Sequence, residues 1–231
     1  MTLSVLCAGA GKGLVLALAP EFTATSGIAI DGTFGAVGAL RDNLLAGAPC
    51  DVIVLTAALV EALEQDGHVV PDSAALLGTV RTGIAVRAGE PLPDIHDGAA
   101  LRATLASASR LFFPDPQRST AGIHFAGVLK RLGIDGEVAL RCATFPNGAM
   151  AMQALAESNR RGELGCTQAT EIDYTPGVVR VGALPEGFDL ATVYVAAVCA
   201  HARDRESARA FVQLLTGAAS RDLRARRGFE L

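Results

Sequence analysis

Short apolar runs alternate with stretches whose apolar residues recur at helical spacing along nearly the whole chain. Residues 3–8 are mostly apolar, which predicts a strand buried on both faces. A glycine-rich turn, Gly9-Ala10-Gly11-Lys12-Gly13, leads into a helix to about Thr25. Pro20 lies inside that helix and is expected to kink or divide it. Residues 28–34 form a second strand, followed by Gly35-Ala36-Val37-Gly38 and a helix to about Ala46. Residues 51–55 form a third strand and 57–65 a third helix. This β-α-β-α-β-α order predicts a parallel, doubly wound sheet with helices packed on it.

Past that point the pattern repeats with longer elements. A long strand is expected at 80–86, a proline-bearing loop at 90–97 and a helix at 98–108. Leu111, Phe112 and Phe113 form a strand end that Pro114 and Pro116 terminate, since proline lacks the ladder's amide. An amphipathic helix then starts near Ser119 or Thr120, either of which can cap it, with Ile123, Ala126, Leu129 and Leu132 on its buried face. Further strands are expected at 137–142, 163–167, 178–181 and 191–200, and helices at 149–160, 205–216 and 220–227. Two β/α sets emerge, with long strands near Arg81 and Val193 at the junctions. The expectation is two α/β lobes, 1–80 plus 193–231 and 81–192, joined by two crossover strands, with a ligand cleft between lobes.

Half of the 231 residues are hydrophobic and 19% are charged, enough to bury a large core. The net charge is −4, and lysine occurs only at positions 12 and 130. Without a basic stripe or aromatic-basic interleaving, nucleic acid is not an expected partner. No apolar run reaches the length of a membrane span. The five cysteines (7, 50, 142, 166 and 199) are scattered and never form a C-x-x-C pair, so they read as buried small hydrophobes and not as disulfides or zinc ligands. No histidine pair has metal-ligand spacing, and neither metal nor cofactor is expected. Met1-Thr2 runs straight into the first strand with no leader pattern, which implies a cytoplasmic chain, or a periplasmic one whose signal has been removed. A monomer is expected.

Candidate chemistry gathers where strands hand over to helices. Ligands in open α/β sheets sit beyond the carboxyl ends of strands, and a helix N-terminus there offers unpaired amides and a partial positive charge suited to an anion. Ser119 and Thr120 supply hydroxyls, Gly122 a place without a side chain, and Arg118 and His124 stand beside them. The glycines near the start fit neither G-x-x-x-x-G-K-[ST] nor G-x-G-x-x-G, because leucine stands at the third glycine position. A small-ligand loop with Lys12 as a positive charge is the better reading.

The segments VLCAGAGKGLVLALAPEF, TFGAVGALRDNLLAGAPCDVIVLTAALVEAL, DPQRSTAGIHFAGVLKRLGI and GELGCTQATEI, in that order, carry a family likeness. The chain resembles the type II periplasmic solute-binding proteins, in particular their molybdate-binding branch. That resemblance implies two lobes and a cleft holding an oxyanion or small acid, lined by Ala10, Gly11, Lys12, Ala36, Val37, Gly38 and Thr56. Arg118, Ser119, Thr120, Gly122, Asn147, Gly148 and Gln168 are the implied counterparts in the second lobe. Molybdate binders of this branch use serine hydroxyls in the first two loops, where this chain has Ala10-Gly11 and Ala36-Val37. The remaining donors suit an organic carboxylate better.

The same branch resembles aconitate isomerase. An isomerase would shift a proton beside a carboxylate and needs a base and donors for the developing charge. His124 is the candidate base and Glu171 a second. Three readings follow: a substrate-binding protein delivering a small anion to an ABC-type importer, an isomerase of a small unsaturated di- or tricarboxylate, and a cytoplasmic ligand-sensing domain. No helix-turn-helix pattern accompanies the third.

Overall fold

The computed structural model describes residues 2–231. In chain order its elements are β1 (Thr2–Ala8), α1 (Gly9–Ser26), β2 (Ala29–Gly35), α2 (Val37–Leu45), β3 (Val52–Thr56), α3 (Ala57–Gln65) and β4 (Ala75–Arg87). Then come α4 (Gly98–Ser107), β5 (Arg110–Pro114), α5 (Thr120–Arg131), α6 (Asp135–Val138), β6 (Cys142–Phe145), α7 (Gly148–Glu157), β7 (Glu163–Gln168) and α8 (Ala169–Tyr174). The chain closes with β8 (Val178–Ala183), β9 (Ala191–Val198), α9 (Arg205–Thr216) and α10 (Arg221–Arg226). It divides into two units, Met1–Val80 with Thr192–Leu231, and Arg81–Ala191.

In the first unit the strand order is β2-β1-β3-β9. β1 runs parallel to both neighbours, pairing Ala8 with Gly35 on one side and Cys7 with Val54 on the other. Its central place explains why six of its seven residues are buried, as an apolar strand requires. β9 runs antiparallel to β3, with Ile53 opposite Ala197. α1 packs its Phe22 edge-on against Phe211 of α9, ring centroids 5.0 Å apart. Pro20 does not divide α1, which is continuous from Gly9 to Ser26. Pro20 and Leu16 both lie on the exposed side, where water can serve the carbonyl that loses its partner.

In the second unit β8 and β7 flank β4, both antiparallel to it, and the order continues from β7 to β5 and β6. β5 is parallel to β6 and β7, with Pro114 opposite Phe145 and Phe112 opposite Gly165. Leu101, Leu105, Phe113, Phe125, Val128 and Leu164 form the core on one face of this sheet. Phe112, Met152, Leu155 and Ile172 form it on the other.

Two expectations fail here. Residues 137–141 are not a strand: Ile134 and Val138 are both fully buried, four residues apart, and Leu140 points outward. That is helical spacing, and α6 with a short 3₁₀ turn (Ala139–Arg141) takes up the segment before β6. The buried face of α5 is also rotated from the expected one. Ala121, Gly122, Phe125, Val128 and Leu129 face inward, whereas Ile123 is 52% exposed. The large Phe125 sets the phase, its ring 5.1 Å from that of Phe113.

This phase is directly measurable. Phe125→Ala is expected to cost about 3–5 kcal/mol, and Ile123→Ala no more than about 0.5 kcal/mol, in urea denaturation. A larger loss at Ile123 than at Phe125 would mean the helix is turned as the sequence alone suggests.

Candidate functional site

Because β1, β2 and β3 are parallel and their ends are level, α1, α2 and α3 all begin along one edge of the first unit's sheet. α1 starts at Gly9 with no intervening loop, so Ala10, Gly11 and Lys12 form its first turn. Ala36 is the N-cap of α2, and Val37 and Gly38 open it; Thr56 is the N-cap of α3. None of these three helices has a side-chain cap or an acidic residue in its first turn. Their leading amides therefore meet neither a capping oxygen nor a carboxylate from their own sequence. Lys12 lies beside this edge, its Nζ 5.7 Å from the centre of the Phe34 ring.

The second unit repeats the arrangement. β5, β6 and β7 are parallel, and the junctions that follow them share one edge. Asp115 shapes the first junction: its Oδ1 accepts from the amides of Gln117 (2.7 Å) and Arg118 (3.2 Å), and its carbonyl from Ser119 (3.1 Å). Ser119 is the N-cap residue of α5, yet its hydroxyl makes no cap hydrogen bond, and Thr120 is the first helical residue. The expected side-chain cap is absent, so α5 joins the uncapped helices. It too has no acidic residue in its first turn. Arg118 is exposed and Ser119 buried. Asn147 is spent differently, since its Oδ1 caps α7 by accepting from the Met150 amide at 2.9 Å.

Gly11 and Gly122 are glycines for packing reasons. A Cβ at Gly11 would stand 2.7 Å from Cys7 Sγ, and one at Gly122 would press into the carbonyls of Pro114 and Asp115. Each lets a helix start directly over the strand before it. At Gly122 the space without a side chain is thus filled by the protein's own backbone.

Glu171 has the most structured surroundings at this edge. It is buried, accepts a 2.5 Å hydrogen bond from Thr167 Oγ1, and takes backbone N–H groups of Ala149, Gln168 and Gly148. Gln168 is the N-cap of α8 and Glu171 its third residue, so the carboxylate reaches back in a capping box. The same carboxylate fills the N-terminus of α7, the anion position of that helix. Burial pushes its pKa above the ordinary carboxylate value, and the four donors pull it partly back.

His124 is half-buried on α5, its Nε2 2.7 Å from the Phe188 carbonyl. A carbonyl only accepts, so Nε2 is the donor in this bond. Arg131, further along the helix, donates to the Gly187 carbonyl at 2.9 Å and lies over the Phe188 ring. Both side chains fasten residues 187–188 to α5.

Sequence reasoning missed two hydroxyls. Thr82 Oγ1, on β4 opposite Gln168, and Thr170 Oγ1, on α8, are buried and have no partner among the described residues. A threonine inside the apolar run VRTGIAV is the signal that could have drawn attention to the first.

The pH dependence of Glu171 has a definite sign. With its folded pKa above the unfolded value, the native state binds the proton more tightly, so Glu171's contribution falls as pH rises from about 4.5 through the raised value. Melting temperatures across that range should show this downward component in the wild type and lose it in Glu171→Gln. Identical profiles for the two would show that the carboxyl titrates normally.

The family described as "Bacterial extracellular solute-binding protein" matches residues 3–230. An aconitate isomerase from Pseudomonas sp is 29% identical over 221 residues, covering 93% of this chain and 82% of that protein. The periplasmic molybdate-binding protein of Azotobacter vinelandii superposes with a TM-score of 0.83 at 20% identity, covering 99% of each chain. A sulfate-binding protein from Mycobacterium tuberculosis does so with a TM-score of 0.77 at 19% identity, over 99% of this chain and 86% of that one. The architecture is that of the type II periplasmic binding proteins.

Proposed function

The chain belongs to the bacterial extracellular solute-binding proteins, and within that family we propose that it binds a small organic carboxylate. The observation that supports this reading is the set of first turns on α1, α2, α3 and α5, which lack both a side-chain cap and an acidic residue. Taken unit by unit, three such helix N-termini in the first and one in the second stand after strands and are donors of the kind that hold an anion. Where α4 and α9 begin, by contrast, Asp97 and Asp204 accept from Ala100 and Ser207 at 2.8 and 3.0 Å. The carboxylate preference rests on Ala10-Gly11 and Ala36-Val37, which bring no hydroxyl donors for a tetrahedral dianion. Arg118, Lys12, Ser119 and Thr120 are the side chains proposed to meet the ligand's charge. Delivery to an ABC-type importer is the role this binding would serve.

A second reading, isomerisation of a small unsaturated tricarboxylate, is favoured by the likeness to aconitate isomerase over nearly the whole chain. His124 Nδ1 would be the base, with its proton-bearing Nε2 fixed by Phe188. Glu171 is the other proposed acid–base group, and its raised pKa suits proton exchange.

Ser119→Asp tests the binding reading. An N-cap aspartate supplies its own carboxylate to the α5 amides, so stability should hold while carboxylate affinity in calorimetry falls roughly tenfold or more. Unchanged affinity would remove α5 from the site. The isomerase reading is checked by proton NMR of cis-aconitate incubated with the protein. Turnover that drops by roughly two to four orders of magnitude in His124→Ala would support it, and an unaltered spectrum with the wild type would leave a binder.

A further inference from the structure

We propose that Cys50 and Cys199 are a disulfide-forming pair that closes when the chain folds in the presence of a disulfide oxidant. The two sulfurs are 3.1 Å apart, although 149 positions separate the residues in sequence. A disulfide is about 2.05 Å long, so a closure of roughly 1 Å completes the bond. The backbone already sets the approach: Val52 pairs with Val198 across β3 and β9, and the Cys199 amide donates to the Asp51 carbonyl at 3.0 Å. Asp51 is pinned in turn, its carboxylate accepting from the amides of Ser4 and Arg203, each at 2.7 Å. Cys50 and Cys199 therefore meet at a fixed corner of the first unit.

The scatter that argued against disulfides in the sequence says nothing about this corner, because the intervening chain carries all of Arg81–Ala191 and returns through β9. The Cys7 and Cys50 thiols each donate to a carbonyl at 3.2 Å, of Ala8 and Val52, and what sets Cys50 apart is the Cys199 sulfur beside it. The bond would close a loop containing the whole second unit, and cross-links over long loops restrict the unfolded chain most.

The chemistry is thiol–disulfide exchange with a small-molecule or protein disulfide. The Cys50 thiolate attacks one sulfur of the oxidant, whose S–S bond breaks and releases one thiolate. The Cys199 thiolate then attacks the Cys50 sulfur of the mixed disulfide and expels the second. The pair loses two electrons, the oxidant gains them, and the two cysteine protons end on the two released thiols. In the folded chain Cys199 is 1% exposed and Cys50 7%. The neighbouring sulfur and burial push the Cys199 thiol far above its ordinary range. Reaction therefore belongs to folding, before the corner closes, and the finished protein should resist both oxidation and reduction.

The test is to unfold the full chain in urea with dithiothreitol, then refold it in a glutathione disulfide/glutathione buffer. Intact mass should fall by about 2 Da, and two of the five thiols should resist N-ethylmaleimide in urea. Peptide mapping should then join Cys50 to Cys199. Cys50→Ala and Cys199→Ala should each abolish the mass loss. The proposal is overturned by five reactive thiols in refolded wild type, by stable glutathione adducts in place of the bond, or by a mass loss that survives either substitution. None of these readouts depends on a ligand, so the outcome is separate from that of the carboxylate reading.

Discussion

The structure turns on how its helix N-termini are capped. A helix begins with amides that have no intrahelical partner, and most chains satisfy them with an aspartate, asparagine, serine or threonine. This chain does so at α4, α7 and α9, through Asp97, Asn147 and Asp204. At α1, α2, α3 and α5 it does not. Those four come after parallel strands, α5 across the short junction 115–119, at edges of the kind where doubly wound sheets receive ligands. The glycines at 11 and 122 keep two of these helices pressed onto the sheet, which fixes where their first turns stand.

Glu171 marks the limit of that design. Its carboxylate occupies the N-terminus of α7 and ties it to β7 and α8 through Thr167 and three backbone amides. A ligand could use that helix only by displacing a buried side chain with good partners, which costs more than meeting an uncapped turn. The α7 end is thus filled by the protein's own carboxylate. The same side chain is where acid–base chemistry would be built if the protein is an enzyme, because burial has already moved its pKa toward neutrality.

Much of this was legible in the sequence. The α/β class and the order of strands and helices follow from continuous apolar runs, and the boundaries of α3 and α9 coincide with the expected 57–65 and 205–216. What escaped was phase and partnership. Alternation over 137–142 imitates a strand until Ile134 and Val138 are seen to share one buried face. Ile123 looks like a core residue, but Phe125 fills more volume and wins the inward position. The closeness of Cys50 and Cys199, and of Glu171 to Gly148, depends on contacts between distant segments that no local pattern encodes.

Electrostatics explains why the donors must be local. The chain carries a net charge of −4 and two lysines, so its overall field opposes an approaching anion. Attraction for the proposed carboxylate would come from short-range groups that outweigh this field near the strand ends. Helix N-termini fit, because their effect falls off within the first turn and is strongest where water is partly excluded. An aspartate or glutamate placed there would cancel the attraction and supply the amides with an internal partner. The absence of acidic residues from the first turns of α1, α2, α3 and α5 is therefore the feature that an acidic protein needs if it is to hold an acidic ligand.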